Sequence, residues 1–423
     1  MKIILKIVSI LALSSALAGC LSPAGNHRVK LFDVRQFGAK GDGITPDTAA
    51  IQKALDECGQ SGGGLVEIPA GTYLSKPIWL HSETTLQLDA GAVLQARDEP
   101  SDFLDANGAT LAFVNGKNLT NITLRGQGKI DGAGARWWAP VRAAKKSGQP
   151  ETVRRPRLVV LTGCKNVRVE NVTLQNSPSF HLVPADCEDV VITNVTIQAP
   201  ADSPNTDAID PSCKNLLITH CRLDVGDDNV AIKAGRKVAG REFQDENIIV
   251  TDCTFLRGHG MSIGSETRGG VKNLLVKNCT FDGTTSGIRI KTSRERGGTV
   301  EGLIYRDLTM TNVEVPINIT CYYPKIPASD SAQPITADTP VYRDIQIINL
   351  TASGPKSAGF IVGLPEMCVS NVVFENVKLS AKTGLTIRNA KGIRFTNSLV
   401  TVKQGAPFTA ENADVQGLEG AMR

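Results

Sequence analysis

Two adjacent aspartates, Asp227 and Asp228, interrupt a run that otherwise has the character of a buried β-strand, in the stretch VGDDNVAIKA. Burying an unpaired carboxylate is costly, and neighbouring carboxylates disfavour each other's ionised form. A third aspartate, Asp207, occurs earlier in NTD, and His259 follows in GHG. If the fold brings these groups together, at least one carboxyl should keep its proton near neutral pH. One site would then hold both an acid and a base.

Other polar side chains accompany these four. The stretch RIK directs Arg289 and Lys291 to the same face of a strand, and Asn205 is expected to share a strand face with Asp207. Taken singly, the aspartates would be turn residues and the two cations a solvated strand face. Taken together and in register, they favour catalysis.

A repeat along the chain positions these residues. Nine segments alternate β-branched and polar residues, with starts mostly 21–32 residues apart: KNVRVENVTLQN from Lys165, EDVVITNVTIQA from Glu188, KNLLITHCRLDV from Lys214, ENIIVTDCTFLR from Glu246, KNLLVKNCTFDG from Lys272, EGLIYRDLTMTN from Glu301, RDIQIINLTASG from Arg343, SNVVFENVKLSA from Ser370 and KGIRFTNSLVTV from Lys391. Alternation of this kind is typical of strands with one buried face. A strand-rich repeat of this length predicts an all-β protein, a parallel β-helix; β-propeller blades, the alternative, usually need about 40 residues.

The polar residues fall after the first strand of their own repeats. Because successive coils of a β-helix stack a few ångströms apart, equivalent positions should meet on one wall of the solenoid. The cysteines also recur in register, as Cys164, Cys187 and Cys213 before three repeat starts and as Cys221, Cys253 and Cys279 within three repeats. We expect them to form interior ladders of free thiols. One disulfide is the alternative, but nine cysteines besides Cys20 argue against a full disulfide framework.

The N-terminus predicts export. Residues 1–20, MKIILKIVSILALSSALAGC, have the pattern of a signal peptide. The ending LAGC resembles a bacterial lipobox, which implies a lipid on Cys20; an ordinary signal peptide with an incidental cysteine is the alternative. Leu21 at the next position resembles lipoproteins sorted to the outer membrane. No later segment has the roughly 18 unbroken apolar residues that a membrane helix needs.

The remaining chain is predicted to contain a linker over 21–30, the β-helix over 31–410 and a tail over 411–423. Within it, TPDTAAIQKALDEC predicts a short helix at about 47–58 that caps the open end of the solenoid. The net charge of +4 is too small and too dispersed for nucleic-acid binding, although it tolerates an acidic polymer. Scattered histidines and the absence of C-x-x-C spacing predict no metal site, and no cofactor is expected.

The motifs NTD, GDD, GHG and RIK, in this order and at these spacings, resemble the polygalacturonases, glycoside hydrolase family 28. The opening FDVRQFGAKGDGITPDTAAIQKALDEC also resembles bacterial members, and the resemblance spans about residues 31–400. It implies a right-handed parallel β-helix of the pectin-lyase-like type. It also implies inverting hydrolysis of α-1,4-galacturonosidic bonds in pectin, by a protein expected to be a monomer.

The resemblance implies roles for the acidic cluster. Asp227 resembles the general acid, while Asp207 and Asp228 resemble the pair that holds and deprotonates water. His259 would help to keep the acid protonated.

Substrate-binding roles follow in the same way. Arg289 and Lys291 would hold the galacturonate carboxylate, and Asn205 would position a neighbour or a sugar hydroxyl. His181 is expected at a groove subsite. CYYPK offers two tyrosines for the site, of which Tyr322 is preferred. The sequence departs from the family pattern at Ala208, where glycine is usual, and at Asn229, where cysteine is common.

Other residues are assigned no catalytic role. Asp210 and Asp224 are interpreted as turn residues and His220 as a surface residue of a coil, while Trp137 and Trp138 either stack on sugars or pack under a loop. Rival functions are rhamnogalacturonan or xylogalacturonan hydrolysis, a calcium-dependent pectate lyase, and a pectin-binding protein without activity. Inserts at about 134–156 and 321–342 favour exo action on oligogalacturonates.

Overall fold

The computed structural model describes residues 29–151 and 153–417. The predicted signal peptide, Cys20 and most of the predicted linker lie outside the described residues. Among the described residues, no helix has the length and apolar character needed to cross a membrane.

The strands form one continuous parallel sheet wound into a right-handed parallel β-helix, which confirms the predicted fold. The coils before the site contain β1 (Leu31–Asp33), β2 (Asp42–Pro46), β3 (Gly64–Ile68), β4 (Gly71–Ser75), β5 (Ile78–Trp79), β6 (Thr84–Leu88), β7 (Ala92–Ala96), β8 (Val114–Lys117), β9 (Thr120–Gly126), β10 (Lys129–Asp131), β11 (Val159–Thr162), β12 (Lys165–Glu170) and β13 (Thr173–Gln175).

The coils that carry the site contain β14 (Leu182–Thr193), β15 (Thr196–Gln198), β16 (Ser212–Thr219), β17 (Arg222–Asp224), β18 (Val230–Ile232), β19 (Asp245–Thr251), β20 (Thr254–Leu256), β21 (Met261–Ile263), β22 (Val271–Lys277), β23 (Thr280–Asp282) and β24 (Ser286–Lys291). Those after it contain β25 (Thr299–Thr311), β26 (Val315–Thr320), β27 (Val341–Ser353), β28 (Ser357–Val362), β29 (Val369–Glu375), β30 (Lys378–Ala381), β31 (Thr383–Thr396), β32 (Leu399–Val402) and β33 (Phe408–Gln416). Since β33 pairs with β31 and ends at Gln416, the solenoid continues into the predicted tail.

Two α-helices accompany the solenoid within the described residues. Helix α1 (Thr48–Gln60) matches the predicted cap and buries Ile51, Leu55 and Cys58 against the first coils. Helix α2 (Ala135–Ser147) lies in the insert at 134–156 and was not predicted. Its two tryptophans are buried, so they pack rather than offer a surface for sugars. Short 3-10 helices also span Val34–Phe37, Pro100–Phe103 and Arg294–Arg296.

The repeat register predicted from the sequence is confirmed. All nine repeat starts are partners in consecutive strand pairs, from Lys165 opposite Glu188 to Ser370 opposite Lys391. The residue after each start is Asn, Asp or Gly, and its φ is positive, as at Asn166 (55°), Asp189 (57°) and Asn215 (59°). Asn, Asp and Gly tolerate this left-handed conformation best, so the sequence marks one corner of every coil.

The core is a set of stacked columns. Ile232, Ile263 and Ile290 follow one another on successive coils, and the rings of Phe255 and Phe281 stack 4.4 Å apart. Each buried side chain of this size stabilises the fold by about 1.5–3 kcal/mol. The nine cysteines among the described residues are free, and all but Cys368 are buried, as predicted for interior ladders.

Candidate active site

Four turns of the solenoid stack to form the site. Ile209 pairs with Val230, Val230 with Met261, and Met261 with Ile288. The backbone N–H of Ala208 donates to the carbonyl of Asp228, and that of His259 to the carbonyl of Asp227, each at 2.9 Å. These contacts place the NTD, GDD and GHG stretches directly above one another, with RIK on the next coil.

Asp228 lies at the centre of the cluster and is 1% exposed. One carboxylate oxygen accepts hydrogen bonds from Arg289 Nη1 at 2.7 Å and Ser262 Oγ at 2.8 Å, and the other accepts from Lys291 Nζ at 2.8 Å. Burial by itself would raise the pKa of Asp228. The adjacent His259, Lys291 and Arg289 outweigh burial and hold that pKa well below its ordinary value. Asp228 is therefore ionised and only weakly basic.

Asp227 is the more accessible carboxyl, with 20% of its side chain exposed. His259 Nδ1 lies 3.1 Å from Asp227 Oδ1 and 3.6 Å from Asp228 Oδ1. Burial opposes ionisation of both partners, but their contact raises the pKa of His259 to about 9 and lowers the pKa of Asp227. The sequence argument that His259 keeps Asp227 protonated was therefore wrong for the unliganded protein, in which the proton belongs to His259.

Asp207 behaves in the opposite way. It is 3% exposed, and its Oδ1 has no hydrogen-bond partner among the described residues. Burial first, and then the charges of Asp210, Asp227 and Asp228, raise the pKa of Asp207 well above its ordinary value. One carboxyl of the cluster thus keeps its proton, as the sequence predicted, and it is Asp207.

Comparisons with known proteins identify the family of this chain. A family model described as "Glycosyl hydrolases family 28" matches residues 58–401. The chain belongs to glycosyl hydrolase family 28. It is 36% identical to an endo-polygalacturonase of Pectobacterium carotovorum subsp. carotovorum, over 83% of this chain and 88% of the relative.

Two solved structures resemble this family 28 protein in fold. A polygalacturonase from Erwinia carotovora ssp. carotovora has 30% identity and a TM-score of 0.69, covering 95% of this chain and 100% of its own. A hyperthermoactive exopolygalacturonase from Thermotoga maritima has 28% identity and a TM-score of 0.73, covering 98% and 95%. The chain is therefore a glycoside hydrolase.

The glycines of GHG hold the family 28 site together by permitting close backbone contact. Gly258 and Gly260 have φ of 101° and 75°. A Cβ on Gly260 would lie 2.1 Å from the carbonyl oxygen of Ser286 on the next coil, and one on Gly258 would lie 2.5 Å from that of Asp227. Glycine is thus required for the coils to approach.

Asn229, where the family commonly has cysteine, is a structural link between coils. Its Nδ2 lies 2.8–3.0 Å from the carbonyl oxygens of Leu223, Leu256 and Arg257, which share its two N–H groups, and its Oδ1 accepts from Gly260 N–H at 2.8 Å. The buried amide is fully used, and it ties the GDD turn to the GHG turn. The departure from the family pattern therefore contributes to the positions of Asp228 and His259.

His181 does not line the groove. It is 0% exposed, and burial lowers its pKa to about 4, so the ring is neutral. Nε2 accepts from Ser177 N–H at 3.2 Å, which leaves Nδ1–H to donate to the carbonyl of Asp207 at 3.1 Å. The prediction of a subsite role was wrong because this coil turns the side chain inward, where it positions the backbone of Asp207.

Asn205 lies in a turn with φ of 53° and not on a strand beside Asp207. Its Oδ1 accepts from Arg155 Nη2 at 2.9 Å and from Lys145 Nζ at 3.2 Å. Lys145 belongs to α2, so the unpredicted helix contacts the edge of the site. The shared strand face expected for Asn205 and Asp207 was wrong because Pro204 and Asn205 form the turn itself.

The two tyrosines make different contacts, and the preference for Tyr322 stays a prediction, because both line the same cavity. Tyr322 is buried and its hydroxyl donates to Asp330 at 2.7 Å, which fastens the loop. Tyr323 is exposed, and its ring centroid lies 5.2 Å from Lys291 Nζ. Both line a cavity of about 260 Å³ with Arg289, Lys291 and Lys325.

Ligand atoms of Asp227, Asp228 and His259 lie within 4.8 Å of one another, a spacing that could hold a metal ion. However, Asp228 is already paired with Arg289 and Lys291, and protonated His259 offers no lone pair to a metal. These three residues therefore fit a proton-transfer site better than a metal centre.

Proposed function

We propose that this family 28 protein hydrolyses α-1,4-galacturonosidic bonds of pectic polygalacturonate with inversion of configuration. One observation carries the proposal: two neighbouring carboxyls have pKa values moved in opposite directions, Asp207 upward and Asp228 downward, beside a third carboxyl that reaches solvent. Once ionised, the carboxyl with the raised pKa is the stronger base, and the carboxyl that reaches solvent can meet the leaving oxygen.

We assign the general acid to Asp227, because it is the carboxyl of the cluster most exposed to a substrate. His259 holds the proton in the free protein, 3.1 Å from Asp227. As the glycosidic bond breaks, Asp227 gives a proton to the leaving oxygen and takes one from the imidazolium. The imidazole is left neutral until it takes up a proton from solvent.

The base is Asp207. Asp228 is too weakly basic to accept a proton, because it is held by Arg289, Lys291 and Ser262. Once ionised, Asp207 has the higher proton affinity and takes the proton of the attacking water, whereas Asp228 accepts a hydrogen bond from that water and orients it. The hydroxide equivalent adds to the anomeric carbon from the face opposite the leaving oxygen.

Three cations support an acidic sugar as the substrate. Arg289, Lys291 and Lys325 line one cavity beside Tyr323. The first two are also paired with Asp228, whereas Lys325 has no ion pair or hydrogen bond from its side chain among the described residues. A uronate carboxylate in this cavity would complete the charge balance, which favours galacturonan over a neutral polymer.

We also propose exo action on oligogalacturonates. Both inserts named from the sequence lie at the site: α2 reaches Asn205 through Lys145, and the loop after Thr320 carries Tyr323 and Lys325. Segments in these places can close a groove and leave room for a chain end.

For localisation, we propose an exported protein that is anchored through a lipid on Cys20. Labelling with a radioactive fatty acid would detect this lipid, and a Cys20→Ala variant should lose the label.

Digestion of polygalacturonate tests the activity. We expect new reducing ends, no product with ultraviolet absorption from an unsaturated uronate, and no loss of rate with a calcium chelator. NMR should detect the β-anomer of the product first. An ultraviolet-absorbing product whose formation a chelator prevents would indicate a lyase, and binding without cleavage would indicate a pectin-binding protein.

Defined oligogalacturonates test exo action. Steady release of monogalacturonate or digalacturonate would support it, whereas a spread of internal fragments would contradict it.

A further inference from the structure

Asp210 is a buried carboxyl that the reaction described above does not use. It lies three residues after Asp207 and is 2% exposed, and neither of its carboxylate oxygens has a hydrogen-bond partner among the described residues. Its backbone N–H is fixed to the carbonyl of Leu182 at 2.9 Å. An unpartnered buried carboxyl costs the fold several kcal/mol unless it is neutral or faces a cation. The turn role interpreted from the sequence does not explain a side chain placed in this way.

Lys233 lies on the next coil beside it. The two coils are joined by hydrogen bonds from Ala231 N–H to the carbonyl of Ile209 and from Lys233 N–H to the carbonyl of Pro211, each at 2.9 Å. Lys233 Nζ donates to the carbonyl of Gly264 at 3.1 Å and lies 3.9 Å from Glu266 Oε2. The ammonium group is thus held by the carbonyl of Gly264 and lies near the carboxylate of Glu266.

We propose that Asp210 and Lys233 are positioning residues that hold opposite charges beneath the groove floor and thereby set how readily Asp207 accepts a proton. The pair touches no substrate in this proposal and acts only through Asp207. The inference rests on the hydrolase activity proposed above, with Asp207 as the base.

The charges around the pair determine the direction of each effect. After burial, Asp210 is the largest influence that raises the pKa of Asp207, and Lys233 lowers it. The pKa of Asp210 is itself raised to about 7, by burial and by Asp228 and Asp227, against Lys233 and Arg157. The pKa of Lys233 is raised, because the attraction of Asp210, Asp207, Asp228 and Glu266 exceeds the effect of burial. Asp210 and Lys233 therefore act on Asp207 in opposite senses.

The expected effect of each residue follows from this. A carboxylate at Asp210 favours the protonated form of Asp207, and the ammonium group of Lys233 limits this repulsion. Without Asp210, Asp207 would ionise at lower pH; without Lys233, it would ionise only at higher pH.

The acidic limb of the pH profile of kcat/KM tests the proposal, because it reports the base that must be ionised in the free enzyme. We expect Asp210→Asn to move this limb to lower pH and Lys233→Met to move it to higher pH, each by about one unit. The double variant should lie near the wild type. Lys53→Met, which makes the same charge change on α1, should leave the limb in place.

Glu266→Gln supplies a variant with little risk to folding, because 43% of the Glu266 side chain is exposed. It removes a negative charge beside Lys233, so a smaller shift to lower pH is expected. Circular dichroism checks that each variant is folded. If the Asp210 and Lys233 variants shift the limb in the same direction, or if folded variants do not shift it, the proposal is wrong. If the wild type does not hydrolyse polygalacturonate at all, the proposed function fails instead.

Discussion

Two corners of the same four coils stack polar side chains in register, with opposite results. At the corner ladder, which we define as Asp189, Asn215, Asn247 and Asn273, each amide Nδ2 donates to the side-chain oxygen one coil before it, at 2.9, 3.1 and 3.1 Å. At the other corner, Asp207, Asp228 and His259 stack in the same way but are largely buried.

The difference lies in what stacking does to each side chain. An amide both donates and accepts, so a column of amides satisfies itself and stabilises the fold. Ionised carboxylates only accept, so a column of them repels and must hold protons or recruit cations. Stacking in register therefore stabilises the fold at one corner and shifts the pKa values of the stacked groups at the other.

The sharpest test makes the same chemical change at both corners. Asp227→Asn removes the proton donor and should lower kcat on polygalacturonate about 10³-fold, with an unchanged circular dichroism spectrum. Asp189→Asn in the corner ladder should leave kcat within about twofold, because Asp189 is exposed and an amide can replace its acceptor role. An Asp227→Asn enzyme with more than a tenth of the wild-type rate would remove Asp227 from the reaction.

A variant of His259 tests whether the charged contacts of the buried corner also contribute to the free energy of unfolding. Its folded pKa of about 9 exceeds the value of about 6.5 expected when unfolded. Its contribution to the free energy of unfolding is therefore complete below about pH 6.5 and is lost as pH rises through 9. We expect His259→Gln to destabilise the protein by up to about 3 kcal/mol at pH 6, and by much less at pH 10, in urea unfolding.

The exposed pair of His81 and Asp56 on the cap provides the control, with Nε2 2.8 Å from Oδ1. Because that pair is solvent-exposed, His81→Gln should change the free energy of unfolding by less than about 1 kcal/mol at either pH. Equal losses for the His259 variant at pH 6 and pH 10 would contradict the charge coupling.

The corner ladder can be broken at its centre. Asn247→Ala removes two ladder hydrogen bonds and places alanine at a φ of 59°, so a loss of about 2–3 kcal/mol is expected in denaturant unfolding. Asn247→Gly keeps the backbone relaxed and should lose only about 1–2 kcal/mol. Both variants should retain wild-type kcat. A large fall in kcat with normal stability would show that the two corners are not independent.

The smallest expected effect comes from making the corner ladder resemble the active site. Asn215→Asp places two carboxylates side by side at Asp189 and position 215. Their repulsion raises the pKa values of the folded pair, so the penalty should be absent near pH 3 and appear as pH rises through about 4–5. At this partly exposed corner we expect less than about 1 kcal/mol at pH 7. A loss that is independent of pH would point to the missing amide donor instead.

Much of the fold could be predicted because each repeat carries its structural pattern within a short segment of the sequence. The residue after every repeat start, such as Asn215 or Gly302, has the type that a left-handed corner requires, and the alternation after it defines the buried face. Helix α2 was not predicted from the sequence, because its burial depends on Phe103. This ring packs edge-on against Trp137, with ring centroids 6.0 Å apart. Such a contact between distant segments leaves no periodic signal.

The structure brings the side chains of the four motifs together, but among them only the direction of Arg289 and Lys291 in RIK follows from strand alternation. The errors at His181 and Asn205 share a cause. Each lies in a turn or at a strand end, where the direction of the side chain depends on the local backbone conformation, such as the left-handed φ of Asn205. Asp210 was missed because its burial comes from neighbouring coils and not from its own segment.

The sequence by itself determined the coil register and the kinds of side chain that meet on the groove wall, because both depend on local alternation and on residues suited to one backbone conformation. Only the tertiary structure decided that Asp207 keeps a proton while Asp228 does not, and that His259 carries the proton beside Asp227. These outcomes depend on burial and on sums of charge over groups from four coils. Electrostatic energy varies with distances in space, which the order of residues along the chain does not contain.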